Sequence, residues 1–553
     1  MTINKPFRSK LSQDIFNAKY RHDGAETWDD LCKTLVNQVC SPFMSKDEVS
    51  QLTKFMQDMK FIPGGRYLYY AGRPKPFMNN CFLLRSEEDT REDWANLSWK
   101  AESCLMTGGG IGNDYSVYRP RGTTLGSTGG VASGPIPKML MINEIGRNVM
   151  QGGSRRSAIY ASLNWQHGDI HEFLSIKDWD KQVVSGTNGL SVGDLKRANF
   201  DYKAPLDTTN ISINYDTDWL LKYYTTGSVG DVFKRNVRQA MTTGEPGFSF
   251  NFFEKEKETL RNACTEVTSE DDSDVCNLGS LNLSRCSSIG EFAALAELGT
   301  KFLLCGTLIA EVPYPKVADV REKNRRLGLG LMGIHEWLLQ RNSSYEVTPE
   351  LHKWLNVYKG VSDHVSRSFS KELSISTPVA NRAIAPTGTI GMLAGTTTGI
   401  EPVYATAYKR RYLVNGNRWR YQFAVDHMAQ TMVEQYGIDP DTIESAYHMS
   451  NNYEKRIKFQ ADVQDYVDMS ISSTINLPKF DGDETKVETM SQTLAKYAPR
   501  LRGFTCYPDG SRGGQPLTSV PYKEAIEKLG EEFDEHIEFN DVCDITGGGT
   551  CGQ

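Results

Sequence analysis

The chain has 553 residues and a formal net charge of −7, with 39% hydrophobic and 24% charged residues. That is enough chain for one large domain or several small ones, and the acidic balance argues against a nucleic-acid binder working through a broad basic surface. The N-terminus MTINKPFRSK lacks an apolar signal core and no stretch approaches the roughly 18 apolar residues of a membrane helix, so the eleven scattered cysteines read as reduced thiols in a cytosolic setting.

Residues 1 to 60 carry short helical patterns, Trp28–Val36 and Lys46–Met59, and predict a small helical segment. Pro63, Gly64 and Gly65 mark a turn, after which Tyr67, Leu68, Tyr69 and Tyr70 suit a strand. Trp94, Leu97, Ala101 and Cys104 recur at helical spacing, so Thr90 to Leu105 predicts an amphipathic helix, with Thr90 and Asp93 in a capping arrangement. A glycine-rich run, Gly126 to Gly134, leads into a second such helix with Ile142, Ile145 and Val149 on one face and Gly152-Gly153 at its end. His167 and His171 stand four apart, but no third ligand lies at a fitting spacing, and CxxC and HExxH motifs are missing, so no metal site is predicted. Residues 178 to 209 are polar and irregular, and Thr208 to Ile213 alternates as a strand.

The stretch Arg261 to Asn282, RNACTEVTSEDDSDVCNLGSLN, is the centre of the chain. Asn262, Cys264 and Glu266 alternate, and in an extended segment alternate side chains share a face. One face would then present an amide, a thiol and a carboxylate: a hydrogen bonder, a redox or radical centre and a general base. The glycines of EKNRRLGLGLMG (322–333) predict close backbone packing, since no strand-turn-helix setting supports a dinucleotide site. The Thr/Gly run in APTGTIGMLAGTTTGIEP (385–402) offers backbone N–H groups able to cradle a phosphate. From Gly513 the chain is acidic and loosely patterned. It ends CDITGGGTCGQ, in which glycines between Cys543 and Cys551 ease closure of a dithiol.

The Asn-x-Cys-x-Glu pattern, followed by Cys276, Leu278, Gly279, Asn282 and Leu283, resembles the finger loop and next strand of ribonucleotide reductases. FIPGGRYLYYAGRPKPFMNNC (61–81), residues 385–402 and LRGFTCYPDGSRGGQ (501–515) resemble further segments of that family in the same order, in the style of its adenosylcobalamin-dependent members. The resemblance implies an α/β fold: a ten-stranded α/β barrel of two five-stranded halves over residues 61–512, with a central finger loop and effector-site helices at about 89–152. Many reductases carry an N-terminal ATP-binding regulatory domain; too little chain precedes Pro63 for one, so a helical segment at 1–60 without it is expected, with a flexible tail at 513–553.

The implied activity is thiyl-radical reduction of ribonucleotides to 2′-deoxyribonucleotides. Cys264 would carry the radical, Glu266 act as general base, Asn262 orient the sugar, and Cys81 and Cys276 become a disulfide. Thr387, Gly388, Thr389 and Ile390 would bind the substrate phosphates. Asp89 would sit near the sugar of a deoxynucleotide or ATP effector, with Arg119 and Arg121 near its phosphates, at what is usually a homodimer interface. Cys543 and Cys551 would shuttle electrons from thioredoxin or glutaredoxin. Members that receive their radical from another subunit usually have two adjacent tyrosines where this chain has Cys506-Tyr507, which favours adenosylcobalamin. The alternative is a compact phage-type reductase served by a ferritin-like radical subunit. A glycyl-radical lyase would need an Arg-Val-x-Gly-Tyr-type motif, which is missing, and a non-catalytic nucleotide binder would not need the five redox and base residues together. The expected location is the cytoplasm, that of the host if the chain is phage-encoded, with no DNA or membrane partner. The sequence leaves open diphosphate against triphosphate substrate.

Overall fold

The computed structural model describes residues 6–126, 129–149, 157–199, 202–415, 418–509 and 517–536. A short strand β1 (Phe61–Pro63) precedes five mutually parallel strands: β2 (Cys81–Arg85), β3 (Gly110–Asp114), β4 (Ile159–Asn164), β5 (Thr209–Tyr215) and β6 (Gly247–Phe250). A small hairpin, β7 (Leu260–Arg261) and β8 (Thr268–Ser269), leads to the nine-residue β9 (Asp274–Asn282) and then β10 (Leu327–Met332). Beyond these lie β11 (Ala407–Asn415), β12 (Arg418–Val425), β13 (Thr474–Leu477), β14 (Gly503–Pro508), β15 (Leu517–Ser519) and β16 (Glu532–His536).

Strand β9 runs parallel to β10, and β13 to β14. Between them, parallel bridges Leu329–Arg382 and Ile384–Ile471 carry the pairing through the segment around Arg382. The second half of the sheet therefore also has five parallel members. The halves meet antiparallel at β2/β9 and β6/β14, which closes the ring as the expected ten-stranded barrel. Closure removes the exposed edges of an open sheet.

Side-chain alternation explains which face is lined by what. On β4 and β5, Ile159, Ala161, Leu163, Ile211 and Ile213 join the apolar layer between strands and outer helices. Ser162 and Asn214 have the opposite parity and bond each other inside the barrel at 3.0 Å. The helices Lys10–Lys19, Trp28–Cys40 and Lys46–Gln57 form the N-terminal segment, with capping boxes at Thr27/Asp30 and Ser45/Glu48. Thr90 caps the helix Arg91–Met106 by accepting from the Asp93 amide, as the spacing predicts, and the second helix spans Ile136–Asn148.

Three expectations need correction. Gly65–Tyr70 is helix, not strand. Strand β1 stops at Pro63, and the turn begun at Gly64 sends Tyr67 inward to meet the Asn277 amide at 2.5 Å, so tertiary packing overrides the strand preference of tyrosine. Among the described residues one helix is long and apolar enough to cross a membrane, Ile289–Ile309, but twelve of its residues are buried against β9, β10 and the helix Pro349–Glu372, as a core helix. Residues 517–536 are not a loose tail: β15 and β16 flank β11 and β12 in a four-stranded antiparallel sheet.

The β7–β8 hairpin threads the barrel against β3. A Cβ on Gly112 would lie 1.6 Å from the Arg261 carbonyl oxygen, so only glycine permits this approach. Gly112→Ala is expected to destabilise by on the order of 3 kcal/mol or more, because backbone blocks backbone. Chemical denaturation checks this, and an unchanged midpoint would mean the hairpin can move aside.

Candidate active site

The hairpin loop between β7 and β8 carries Asn262, Cys264 and Glu266. It is a tight turn, not the extended segment the alternation predicts: the Thr265 amide donates to the Asn262 carbonyl at 3.0 Å, and Thr265 has φ 71°. The three side chains are brought together by the turn and by Asn262. Its Oδ1 accepts from the Val267 amide at 3.0 Å, and its Nδ2 donates to Cys81 Sγ at 3.0 Å. The Ser470 amide donates to the Glu266 carbonyl at 2.8 Å, which ties the loop to the far half of the barrel.

Cys81 and Cys276 occupy directly opposed positions on antiparallel β2 and β9. Opposed Cα atoms lie about 4.5–5.5 Å apart, inside the disulfide range of about 4.4–6.8 Å. Burial raises the Cys81 thiol well above its ordinary pKa, and the nearby Glu266, Cys276 and Cys264 raise it further. All three groups therefore lie close enough to act on charge at Cys81. Cys264 is half-buried at the tip, while Cys81 and Cys276 are buried beneath it.

Glu266 is buried, and its Oε2 has no hydrogen-bond partner among the described residues. Burial pushes its carboxyl up to about 7, against the lowering bond from Asn262. A carboxyl so raised is a base poised near neutrality. Catalysis that needs the carboxylate should rise with pH through about 7 in the free enzyme. The pH profile of kcat/KM checks this, and Glu266→Gln should remove that limb along with most activity. Stability has the opposite sign. The neutral form favours folding, so about 3 kcal/mol present below pH 4.5 is lost as pH rises through 7.

A buried ionic scaffold supports the loop. Arg261 donates to the carbonyls of Glu258, Leu260 and Arg502 and to Asn251 Oδ1, and burial lowers it to about 9. Burial opposes ionisation of Glu258, yet Arg502, Lys255 and Arg326 hold it down at about 2. Arg326 pairs with Asp274 at 2.9 Å. Sequence reasoning passed over Glu258, Arg326 and Arg502. The signal was the double arginine just ahead of the 328–330 glycines, a stretch whose spacing speaks first of backbone packing. That packing is present: a Gly328 Cβ would lie 2.3 Å from Leu278 Cδ2, and a Gly330 Cβ 2.7 Å from the Ala383 carbonyl.

Thr387 sits at the start of the helix Gly388–Ala394 with φ 49°, and its Oγ1 accepts from the Gly399 amide at 2.8 Å. Gly388, Thr389 and Ile390 form the first turn, where amides lack intrahelical partners. Ala383 and Ala385, which lead into this loop, pack in the same inner cluster as Cys81 and Cys276. From the N-terminal segment, Ser12 Oγ donates to the Met392 carbonyl at 2.8 Å, and Arg8 bridges the Gly395 carbonyl and the buried Glu336.

Asp89 and Arg119 are brought together as an ion pair, reinforced by the Arg119 amide at 3.1 Å. The Arg121 amide donates to Asp169, and its guanidinium is 3.8 Å from Glu172. His167 bonds the Tyr118 carbonyl and the Asp169 amide, while His171 bonds Arg235. Cys506 is buried with its thiol 3.5 Å from the Ala240 carbonyl. Cys543 and Cys551 lie outside the described residues, as do Gly152 and Gly153.

The family description "Ribonucleotide reductase, barrel domain" matches residues 79–352 and 380–507. A vitamin B12-dependent ribonucleoside-diphosphate reductase of Mycobacterium tuberculosis is 26% identical over 549 residues, covering 91% of this chain and 78% of that protein. A protein of the same description from Thermoplasma acidophilum is 26% identical, covering 90% and 70%. A putative adenosylcobalamin-dependent ribonucleoside-triphosphate reductase of Mycobacterium phage D29 is 26% identical, covering 78% and 71%. Among solved structures, the class Id ribonucleotide reductase alpha subunit of Actinobacillus ureae superposes with a TM-score of 0.72 at 15% identity, covering 92% of this chain and 99% of that one.

Proposed function

The chain belongs to the ribonucleotide reductases, and from that premise we propose how its own side chains carry out the reduction and what starts it. It is a catalytic subunit that reduces ribonucleotides to deoxyribonucleotides. A radical on Cys264 removes the 3′ hydrogen of the sugar. Glu266 takes the 3′-OH proton, the 2′-OH leaves as water, and Cys264 returns a hydrogen to C3′. Cys81 and Cys276 supply two electrons and two hydrogens and become a disulfide. The observation that carries this reading is the buried Glu266 oxygen without a partner, set beside two thiols opposed in disulfide register.

Adenosylcobalamin is the proposed radical source, as the names of the B12-dependent relatives suggest. When bound, it supplies one-electron chemistry able to oxidise a thiol, which no side chain does alone. A cavity of about 280 Å³ beside the ends of β13 and β14 is lined by Tyr404, Tyr447, His448, Asn476 and Tyr507. Its flat walls and amide suit a nucleoside-sized group such as the adenosyl end, while a whole cobalamin exceeds it. Those residues would hold that end.

Thr387 through Ile390 are proposed to bind the substrate phosphates. The Asp89–Arg119 pair and Arg121 are proposed to meet an effector nucleotide. Trp99, Met106 and Met141 are exposed on the two helices of that region, which supports burial of this face in a homodimer. The decisive experiment is deoxynucleotide formation with adenosylcobalamin and a small dithiol as sole additions. Turnover supports the reading, and activity only after adding a metal-containing radical subunit would replace it.

Cys543 and Cys551 are proposed to relay electrons from thioredoxin or glutaredoxin in the cytoplasm. Cys543→Ser or Cys551→Ser should block multiple turnovers driven by thioredoxin, yet spare a single turnover and activity driven by a small dithiol. Equal loss in the single turnover would place these residues in folding or catalysis instead.

A further inference from the structure

We propose that Arg326 sets the direction of disulfide reduction, making Cys276 the departing sulfur and Cys81 the sulfur an external thiol attacks; this rests on Cys81 and Cys276 being the redox pair. In the parallel register of β9 and β10, Leu327 faces Asn277, so Arg326 and Cys276 are side by side. Gly328 has the parity of Arg326, and a Cβ there would lie 3.0 Å from Cys276 Sγ, so this face of β10 looks onto that sulfur. Arg326 is buried and oriented by Asp274, two residues before Cys276 on the same face of β9. Its Nε donates to Asp274 Oδ2 at 2.9 Å, and its Nη2 to Ser269 Oγ at 3.4 Å. Asp274 is itself held by Asn324 and Ser269.

The surroundings of Cys81 differ. Its sulfur receives a neutral amide from Asn262, and the Glu266 carboxyl, which opposes negative charge at both sulfurs, is the foremost charge acting on Cys81 but the least of those acting on Cys276. At Cys276 the Arg326 guanidinium outweighs its own partner Asp274, and such a charge in a buried site stabilises a thiolate more than one amide does. Burial raises the Cys276 thiol, Arg326 pulls it back, and Asp274 and Glu266 oppose Arg326 more weakly. Access points the same way, since Cys81 is 5% exposed and Cys276 0%.

In the step, an external thiolate bonds to Cys81 Sγ as the Cys81–Cys276 bond breaks. The electron pair departs on Cys276 Sγ, which takes up the proton the external thiol lost. A second external thiol then displaces Cys81, so two thiols are oxidised to a disulfide while the pair is reduced. A thiol of lower pKa leaves faster, which turns the charge asymmetry into a rate asymmetry.

The test begins with enzyme carrying Cys543→Ser and Cys551→Ser, so that the tail cannot reset the pair, oxidised by one round of turnover; this background is the wild type with respect to Arg326. It is exposed to limiting glutathione, quenched with iodoacetamide, and mapped by peptide mass spectrometry. The wild type should carry the glutathione adduct on Cys81 about tenfold more than on Cys276. Arg326→Gln should bring the two near parity, and Arg326→Lys, which keeps the charge, should retain the bias. Because Arg326→Gln alone strands Asp274, the neutral double variant Arg326→Gln/Asp274→Asn is measured beside it and should also lose the bias. An adduct mainly on Cys276 in the wild type, or an undiminished bias in the double variant, overturns the proposal. A wild type with no Cys81–Cys276 disulfide after turnover overturns the redox pair itself and this inference with it.

Discussion

Replacing Cys264 by serine is expected to abolish deoxynucleotide formation, by on the order of 10⁴-fold or more, while nucleotide binding stays near the parent value. The oxygen–hydrogen bond of an alcohol is stronger than the sulfur–hydrogen bond of a thiol, so serine neither accepts the radical nor returns a hydrogen at a useful rate. The loop should keep its shape in the variant. Its turn is closed by the Thr265 amide on the Asn262 carbonyl and by the Val267 amide on the Asn262 side chain, and it is anchored through Ser470 to the Glu266 carbonyl. The phosphate loop proposed at Thr387–Ile390 belongs to another element, so binding should survive. Deoxynucleotide formation and equilibrium nucleotide binding, measured together, check both halves. Substantial residual reduction would remove Cys264 from the chemistry. Loss of binding as well would show that the loop had collapsed, and Cys264→Ala would then be measured in its place.

The barrel was legible because its strands carry strong local signals, such as the alternation of Thr209–Tyr215, and because its motifs stand in family order. The region 407–425 with 517–536 was not. Its four strands pair across about a hundred residues, β12 with β16 and β11 with β15, and such pairing leaves no short-range trace. At the site, the residue set was readable but its geometry was not. Asn262, Cys264 and Glu266 alternate in sequence, yet a φ of 71° at Thr265 folds them into a turn, which is rare for a non-glycine residue and which spacing does not reveal. Tyr67 read as strand for the same reason: its hydroxyl partner, Asn277, lies 210 residues away. Arg326 was hidden because a buried cation takes its meaning from the neighbouring strand, and the register of β9 with β10 had no local sign.

The register of β2 with β9 frames the second large effect. Cys81→Ser and Cys276→Ser should each reduce deoxynucleotide formation by on the order of 10³-fold, and to the same extent, because a disulfide needs both sulfurs. Neither variant touches Cys264 or Glu266, so the first steps should continue. Hydrogen at C3′ of the substrate should still be drawn off, and a 3′ label should exchange or be lost even though no deoxynucleotide accumulates. This separates the pair from a structural role, which would suppress both readouts together. The chain supplies its own control. Cys40 lies beside Cys305 in the outer helical layer, both fully buried. These two thiols are neighbours as well, but they sit on helices outside the ring rather than beneath the finger loop. Cys40→Ser should therefore leave turnover at the parent rate, since being adjacent does not suffice without access to the sugar. Sustained turnover in Cys81→Ser would mean that the two electrons come from elsewhere. Loss of turnover in Cys40→Ser, with folding intact by thermal melting, would mean that the outer thiols belong to the electron path.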